Sequence, residues 1–339
     1  MSVYFKRSVF RSNRFERDLL RLVLWFFLCF TRSSSADVNF HHHTIAHFAS
    51  VSEGSQILTN KDDFIQRLSA FDRSARMKTD KPISEKEFLE FIKNNIVAWT
   101  DTEKRTIENA LDHLRPGLEA LPLSLPKMIY LVKTTGAEEG KAFYTRGNAV
   151  VLPQDQLSAG SALLEKTICH ELFHILSREN PKLREELYKM IGFEKCAEVH
   201  LPTQLQERKM TNPDAPKNDH YIRVRVAGRE TSAVPILFSS VEKYDVALRG
   251  EFFNYLQFRF LLLEGTITSS PKPAADGSPG KLVAAQEVSG FVEQVGQNTD
   301  YVIHPEEILA DNFALLVIGQ QNVPSPEILH KMKAILTRK

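Results

Sequence analysis

Between Asp62 and Leu121 apolar residues recur at threes and fours in three stretches, near Asp62–Met77, Ser84–Ala98 and Thr102–Leu121. That period predicts helices, with Pro116 expected to break the third. The pattern then shortens. Lys127-Met-Ile-Tyr-Leu-Val-Lys133 has the form of a buried strand. Ala142-Phe-Tyr-Thr145 and Ala149-Val-Val-Leu152 flank Arg146-Gly147-Asn148, which signals a hairpin. From Ser161 to Ser177 helical spacing returns, with Leu164, Ile168, Leu172 and Ile175 four, four and three apart and neither Pro nor Gly between them. Cys169, Phe173 and Leu176 make the other faces apolar too, as in a helix buried in a core. From Ile168 to Leu176 the polar residues are His170, Glu171 and His174.

Downstream, Pro181–Ile191 reads as another helix, and Thr211-Asn-Pro-Asp-Ala-Pro216 is a turn cluster. Tyr221–Val226 alternates strictly, so Tyr221, Arg223 and Arg225 share one strand face. Phe252–Glu264 alternates as well, with Leu256, Phe258, Phe260 and Leu262 expected on the inner side. The Pro-, Ser- and Gly-rich stretch Thr266–Gly280 reads as a mobile loop. In Tyr301–Val317, Pro305 suits the first turn of a helix, and Glu306 and Glu307 there complement the positive end of its dipole. Ile308, Leu309, Leu315 and Leu316 give that helix an apolar face, while Glu307 and Asp311 share another.

His170-Glu171-Leu172-Phe173-His174 carries the chemistry. Positions four apart share a helix face, so both imidazoles can reach one metal, and Glu171 lies beside the water that metal holds. Zinc brings the pKa of such water to near 7, and a glutamate within reach takes its proton during attack on a carbonyl. A catalytic zinc has three protein ligands and an open position. Glu307 is the candidate third ligand, with Asp311 one turn on to hold a ligand histidine by its free ring N–H. Glu306 is read as a carboxylate serving the helix dipole.

His-Glu-x-x-His on one helix and Glu-x-x-x-Asp on a later one resemble the gluzincin, or thermolysin-like, metallopeptidases. The resemblance covers two helices. It implies zinc ligands His170, His174 and Glu307, Glu171 as base, Asp311 behind a histidine, and one Zn2+ per chain. It also implies an α+β fold with a zincin-like core, in which a sheet edge binds extended substrate; residues Ala142–Leu152 could supply that edge. The 132 residues between His174 and Glu307 exceed the thermolysin-like spacing. Glu194 lies nearer that spacing, but it follows the helix-ending Gly192 and has Glu198, not an aspartate, four residues on. For the donor to the developing oxyanion, His220 and Tyr221 are the candidates, followed by Tyr301 and His304.

The chain of 339 residues, 42% hydrophobic, suffices for one large or two medium domains. A helical N-terminal region over 37–125 is expected to precede a metallopeptidase domain over 126–339, with an α+β insert at about 181–300 closing over one side of the cleft. The net charge of +1 gives no reason to expect nucleic acid. Residues 1–36 hold seven Lys/Arg against two acids and so contribute +5, leaving about −4 for the rest. Basic residues, the nine-residue apolar run Leu22–Phe30 and then Ser34-Ser35-Ala36 read as a secretory signal cleaved after Ala36. That apolar run is too short to span a bilayer, so no stable membrane span is expected once the signal is removed. Cys169 and Cys196 could then form one bridge in an oxidising compartment. His41, His42, His43 and His47 read as a polar, mobile terminus.

The expected activity is zinc-dependent peptide hydrolysis by an exported protein, periplasmic or secreted, acting on a peptide or protein substrate. The alternatives are a non-catalytic binding or scaffold protein of the cell envelope that keeps the fold, and an envelope factor whose insert recognises a partner.

Overall fold

The computed structural model describes residues 37–158, 160–263 and 281–338. The signal expected over 1–36 and the loop expected over Thr266–Gly280 lie outside the described residues. Eleven strands are described: β1 Val38–His41, β2 Thr44–Phe48, β3 Met128–Thr134, β4 Tyr144–Arg146, β5 Ala149–Pro153, β6 Phe193–Lys195, β7 His220–Val226, β8 Arg229–Ser239, β9 Leu256–Leu263, β10 Leu282–Val283 and β11 Val288–Ser289. The main helices are α1 Val51–Leu58, α2 Asp63–Arg67, α3 Ala70–Arg76, α4 Glu85–Asn94, α5 Asp101–Glu119, α6 Ser161–Glu179, α7 Pro181–Met190, α8 Pro305–Val317 and α9 Pro326–Leu336.

The first sheet has the order β1-β2-β3-β5-β4. Its centre is parallel, with Ile45 opposite Met128 and Tyr130 opposite Ala149, and β4 returns antiparallel at the edge. Alternation along the strands divides the core between its two faces. Ile129, Leu131, Val150 and Leu152 join Ile107, Leu111 and Leu114 of α5 and the apolar residues of α6 in the principal core. Val132, Ala149 and Val151 pack instead with Leu58, Phe64, Phe88 and Ile92, on α1, α2 and α4. The second sheet is antiparallel in the order β10-β9-β8-β7-β11, with β6 also paired to β7.

Several expectations are corrected. The histidine-rich segment is part of the first sheet: Val38–His41 and Thr44–Phe48 form a hairpin and His41 is buried. Its alternating apolar residues, Val38 and Phe40 on one strand and Ala46 and Phe48 on the other, are masked in the sequence by the histidines among them. The sheet thus runs across the boundary expected at residue 125. The helix expected over Asp62–Met77 is two helices, because Leu68 is extended and Ser69 with Asp72 forms a new capping box. Pro116 does not end α5, which continues to Glu119. Lying in the last turn, it removes one hydrogen bond, while Ala120 N–H still reaches the Pro116 carbonyl at 3.2 Å. The adjoining Gly117 is required: a Cβ there would stand 2.1 Å from the Val317 carbonyl oxygen at the end of α8.

Phe252–Tyr255 is a 3-10 turn, and β9 buries residues on both faces: Phe258, Phe260 and Leu262 lie on the principal core, as expected, while Leu256 packs elsewhere and Leu261 and Leu263 lie in a cluster behind the second sheet. Strict alternation is the mark of a strand with one wet face, and this strand has none. Cys169 and Cys196 are both free; the first lies in the principal core and the second packs beside the cluster behind the second sheet. Among the described residues no helix is long and apolar enough to cross a membrane.

Candidate metal centre

The two helices that carry the motifs pack directly on each other. Phe173 of α6 and Phe313 of α8 meet at a ring distance of 5.7 Å, amid Ile168, Leu172, Ile308, Leu309 and Ala314. Burial of this seam holds His170, His174 and Glu307 face to face, and their ligand atoms all lie within 4.8 Å of one another.

Each imidazole is oriented by its own carboxylate. Nδ1 of His170 donates to Asp311 Oδ1 at 3.0 Å, and Nδ1 of His174 donates to Glu306 Oε1 at 3.1 Å. An ionised carboxylate can only accept, so each Nδ1 carries a proton, and in the neutral imidazoles both Nε2 atoms are left for ligation. They converge on Glu307 Oε2, 3.0 Å from His170 and 3.6 Å from His174. Neutral imidazoles would here aim two lone pairs at an anion, an arrangement that needs a cation between them. Among the described residues, buried Nε2 of His174 and Oε2 of Glu171 have no hydrogen-bond partner. The donor set of two imidazoles and one carboxylate, with orphaned acceptors, suits Zn2+.

Around this set lies a layer of fixed partners. Glu306 also accepts from Ser177 Oγ at 2.8 Å and from the Tyr188 hydroxyl. It does more than complement the dipole: it does for His174 what Asp311 does for His170. Asp311 is held in turn by the Thr299 hydroxyl. Asn212 Nδ2 donates to Glu307 Oε1 at 2.5 Å, bringing the turn cluster Thr211–Pro216 onto the site. Asp214 of that turn, His174 and Glu171 offer a second group of ligand atoms within 4.8 Å of one another.

The electrostatics describe a site short of positive charge. Burial pushes the Glu171 carboxyl up to about 8, and Asp214 beside it pushes the same way, against the pull of His174 and His170. Burial disfavours a charged His174, yet the charges of Asp214 and Glu307 and the bond to Glu306 raise it to about 9. Glu307 is held down at about 2: burial opposes its charge, but His174 and the bonds from His170 and Asn212 prevail. Imidazolium protons supply the missing charge in the metal-free protein. A divalent cation supplies it while leaving both imidazoles neutral.

The remaining candidates are dispersed. Tyr221 donates to Glu194 Oε2 at 2.9 Å and is buried behind the second sheet, while Glu194 lies on exposed β6; neither joins the centre. His220 stands one layer out, bonded to Asp219 at 2.7 Å and Glu185 at 3.1 Å, with its ring 4.5 Å from Tyr188. It supports the tyrosine that holds Glu306. His304 caps α8, its Nδ1 accepting from Glu306 N–H at 3.1 Å, and burial pushes its imidazole down to about 4. Tyr301 is the oxyanion candidate on the metal side, with its ring 6.5 Å from that of His170. Asn212 and Asp214 carried no periodic signal in the sequence; two polar side chains astride Pro213 read there simply as a turn. No protein-family model, no curated protein and no solved structure matches the chain.

Proposed function

We propose that the protein is an exported zinc metallopeptidase of gluzincin type. The observation that carries this reading is the convergence of two Nδ1-anchored imidazoles and Glu307 beside an unpartnered, buried Glu171 carboxylate oxygen. When bound, Zn2+ lowers the pKa of a water it holds to about 7 and polarises a carbonyl oxygen. Glu171 takes the proton of the attacking water as it adds to the scissile carbonyl and returns it to the departing amine nitrogen. Asp311 and Glu306 keep the imidazoles in the tautomer that presents Nε2. Tyr301 stands at the rim as the candidate donor to the oxyanion, and β4, at the edge of its sheet, offers main-chain groups to an extended peptide.

A site with a purely structural metal has no use for a base, so Glu171 discriminates this reading from a scaffold. Cleavage of a peptide library by the wild type, compared with Glu171→Gln, tests it. The variant should keep its zinc and lose about two to four orders of magnitude in rate. Equal turnover in the two proteins, or cleavage by neither, would overturn the reading.

A further inference from the structure

Strand β4 is an edge, and its outward groups should be free for an extended ligand. At its centre they are not. In the antiparallel pair β4–β5, Thr145 is opposite Val150 and its N–H points away from β5, the direction an added strand would use. That N–H donates to Asp214 Oδ1 at 2.8 Å, and the Thr145 hydroxyl donates to the same oxygen at 2.5 Å.

Two cavities flank this point. One, of about 470 Å³, is bordered by Arg146, Gly147 and Asn148 and reaches His174. The other, of about 50 Å³, is bordered by Ala142, Phe143 and Tyr144 and reaches Tyr301. Pro213 and Asp214 line both. A groove following the edge strand past the metal centre is therefore interrupted in the middle by one side chain and the turn that carries it.

The turn is built to hold that position. Asp214 N–H donates to Asn212 Oδ1 at 2.9 Å across Pro213, and Asn212 Nδ2 reaches Glu307. One end is anchored at Thr211, whose N–H donates to Asp72 at 3.0 Å and whose carbonyl accepts from Arg76 at 3.0 Å. Arg76 is itself buried, paired with Asp72 and Glu139 at 2.6 Å each. The other end is anchored by Lys209 Nζ donating to the Pro216 carbonyl at 2.8 Å.

Half-buried Asp214 with buried Glu171 and Glu307 gathers three carboxyl groups that only positive charge among them, on the imidazoles or on a metal, can hold together. A carboxylate beside Glu171 also opposes the negative charge that builds on a carbonyl under attack. Asp214 thus suits the resting site and not the reacting one. We infer that Thr211–Pro216 is an internal plug of the cleft, with Asp214, whose ligand atom groups with those of His174 and Glu171 and not with those of His170 and Glu307, reaching the resting metal from the His174 side as a fourth protein ligand and yielding both the metal and Thr145 to substrate. This rests on the metal reading of the site.

The test uses the full chain loaded with Co2+ in place of zinc, titrated with acetohydroxamate, a small metal-chelating probe, and followed by the visible d–d spectrum. Asp214→Asn should change the spectrum of the loaded protein and bind the probe about tenfold or more tighter than the wild type, because the wild type must first open. It should also bind Zn2+ about tenfold or more weaker, having lost a ligand. Asn212→Ala, which frees the turn and leaves the carboxylate intact, should tighten probe binding in the same direction. Equal spectra and equal probe affinities in wild type and both variants overturn the plug while leaving the metal centre standing. So does an Asp214→Asn protein that loses turnover with metal and probe affinities unchanged, which would make Asp214 a substrate contact. A wild type that takes up no Co2+ overturns the metal reading, and the plug with it.

Discussion

At the scale of single residues the candidate centre depends on carboxylates that differ in what they face. Glu307 faces two Nε2 atoms, Asp311 and Glu306 each face an Nδ1, and Glu171 Oε2 faces no donor among the described residues. Asp311→Asn should lower zinc affinity by about ten- to a hundredfold, because the amide no longer fixes the tautomer of His170. Competition with a chelator of known affinity measures this, and an unchanged affinity would refute the assigned role. Glu306→Ala should do likewise and should also destabilise the fold, since Ser177 and Tyr188 would each be left with a buried, unpaired hydroxyl at about 1–3 kcal/mol apiece. Urea unfolding should separate the two variants. That His170, His174 and Glu307 come together, with Asp311 bonded to His170, was legible in the sequence because each lies at helical spacing within a motif. Glu306 was not, for its partners Ser177 and Tyr188 are more than a hundred residues away in sequence. Asp214 was hidden for the opposite reason: a turn has no period from which the direction of a side chain can be read.

At the scale of elements, the centre exists because α6 and α8 are apolar enough to bury each other. Phe313→Ala should cost about 3–5 kcal/mol by opening a cavity at that seam. It should also weaken zinc binding although Phe313 touches no ligand, because the distance across the seam sets the spread of the ligands. Retention of full zinc affinity alongside the stability loss would show that the ligands hold their spacing without the seam. Long elements with a clear period, α6, β3 and α8 among them, were legible in the sequence. The hairpin β1–β2 was not: its histidines read as polar, yet one of them is buried and the strands are completed by pairing to β3, a contact across some eighty residues. Pro116 misled because the cost of proline depends on the turn it occupies, and the last turn has little left to lose.

For the whole molecule, the two sheets are tied to the helices by buried and half-buried ionic groups, and these set its behaviour in acid. Asp219 is partly buried, which opposes its charge, yet the hydrogen bond and charge of His220, with His304 and Arg184 nearby, draw its carboxyl down from 3.8 to about 2. A carboxyl depressed in the folded state contributes stability above its unfolded pKa, and that contribution is lost as pH falls from about 4 towards 2. The contribution is about 2 kcal/mol at neutral pH. Asp219→Asn should therefore flatten the pH dependence of urea unfolding over that window, and a variant as acid-sensitive as the wild type would contradict it.

The division of the chain by ligand source is the most exposed feature of the proposal at this scale, since the proposed third ligand, Glu307, comes from beyond the whole second sheet. Zinc stoichiometry after exhaustive dialysis of the wild type, Glu307→Ala and Glu194→Ala tests it most directly. One equivalent in the wild type and Glu194→Ala, with most of it lost from Glu307→Ala, is the result expected. A full equivalent in Glu307→Ala, or a metal-free Glu194→Ala, would contradict the proposed centre.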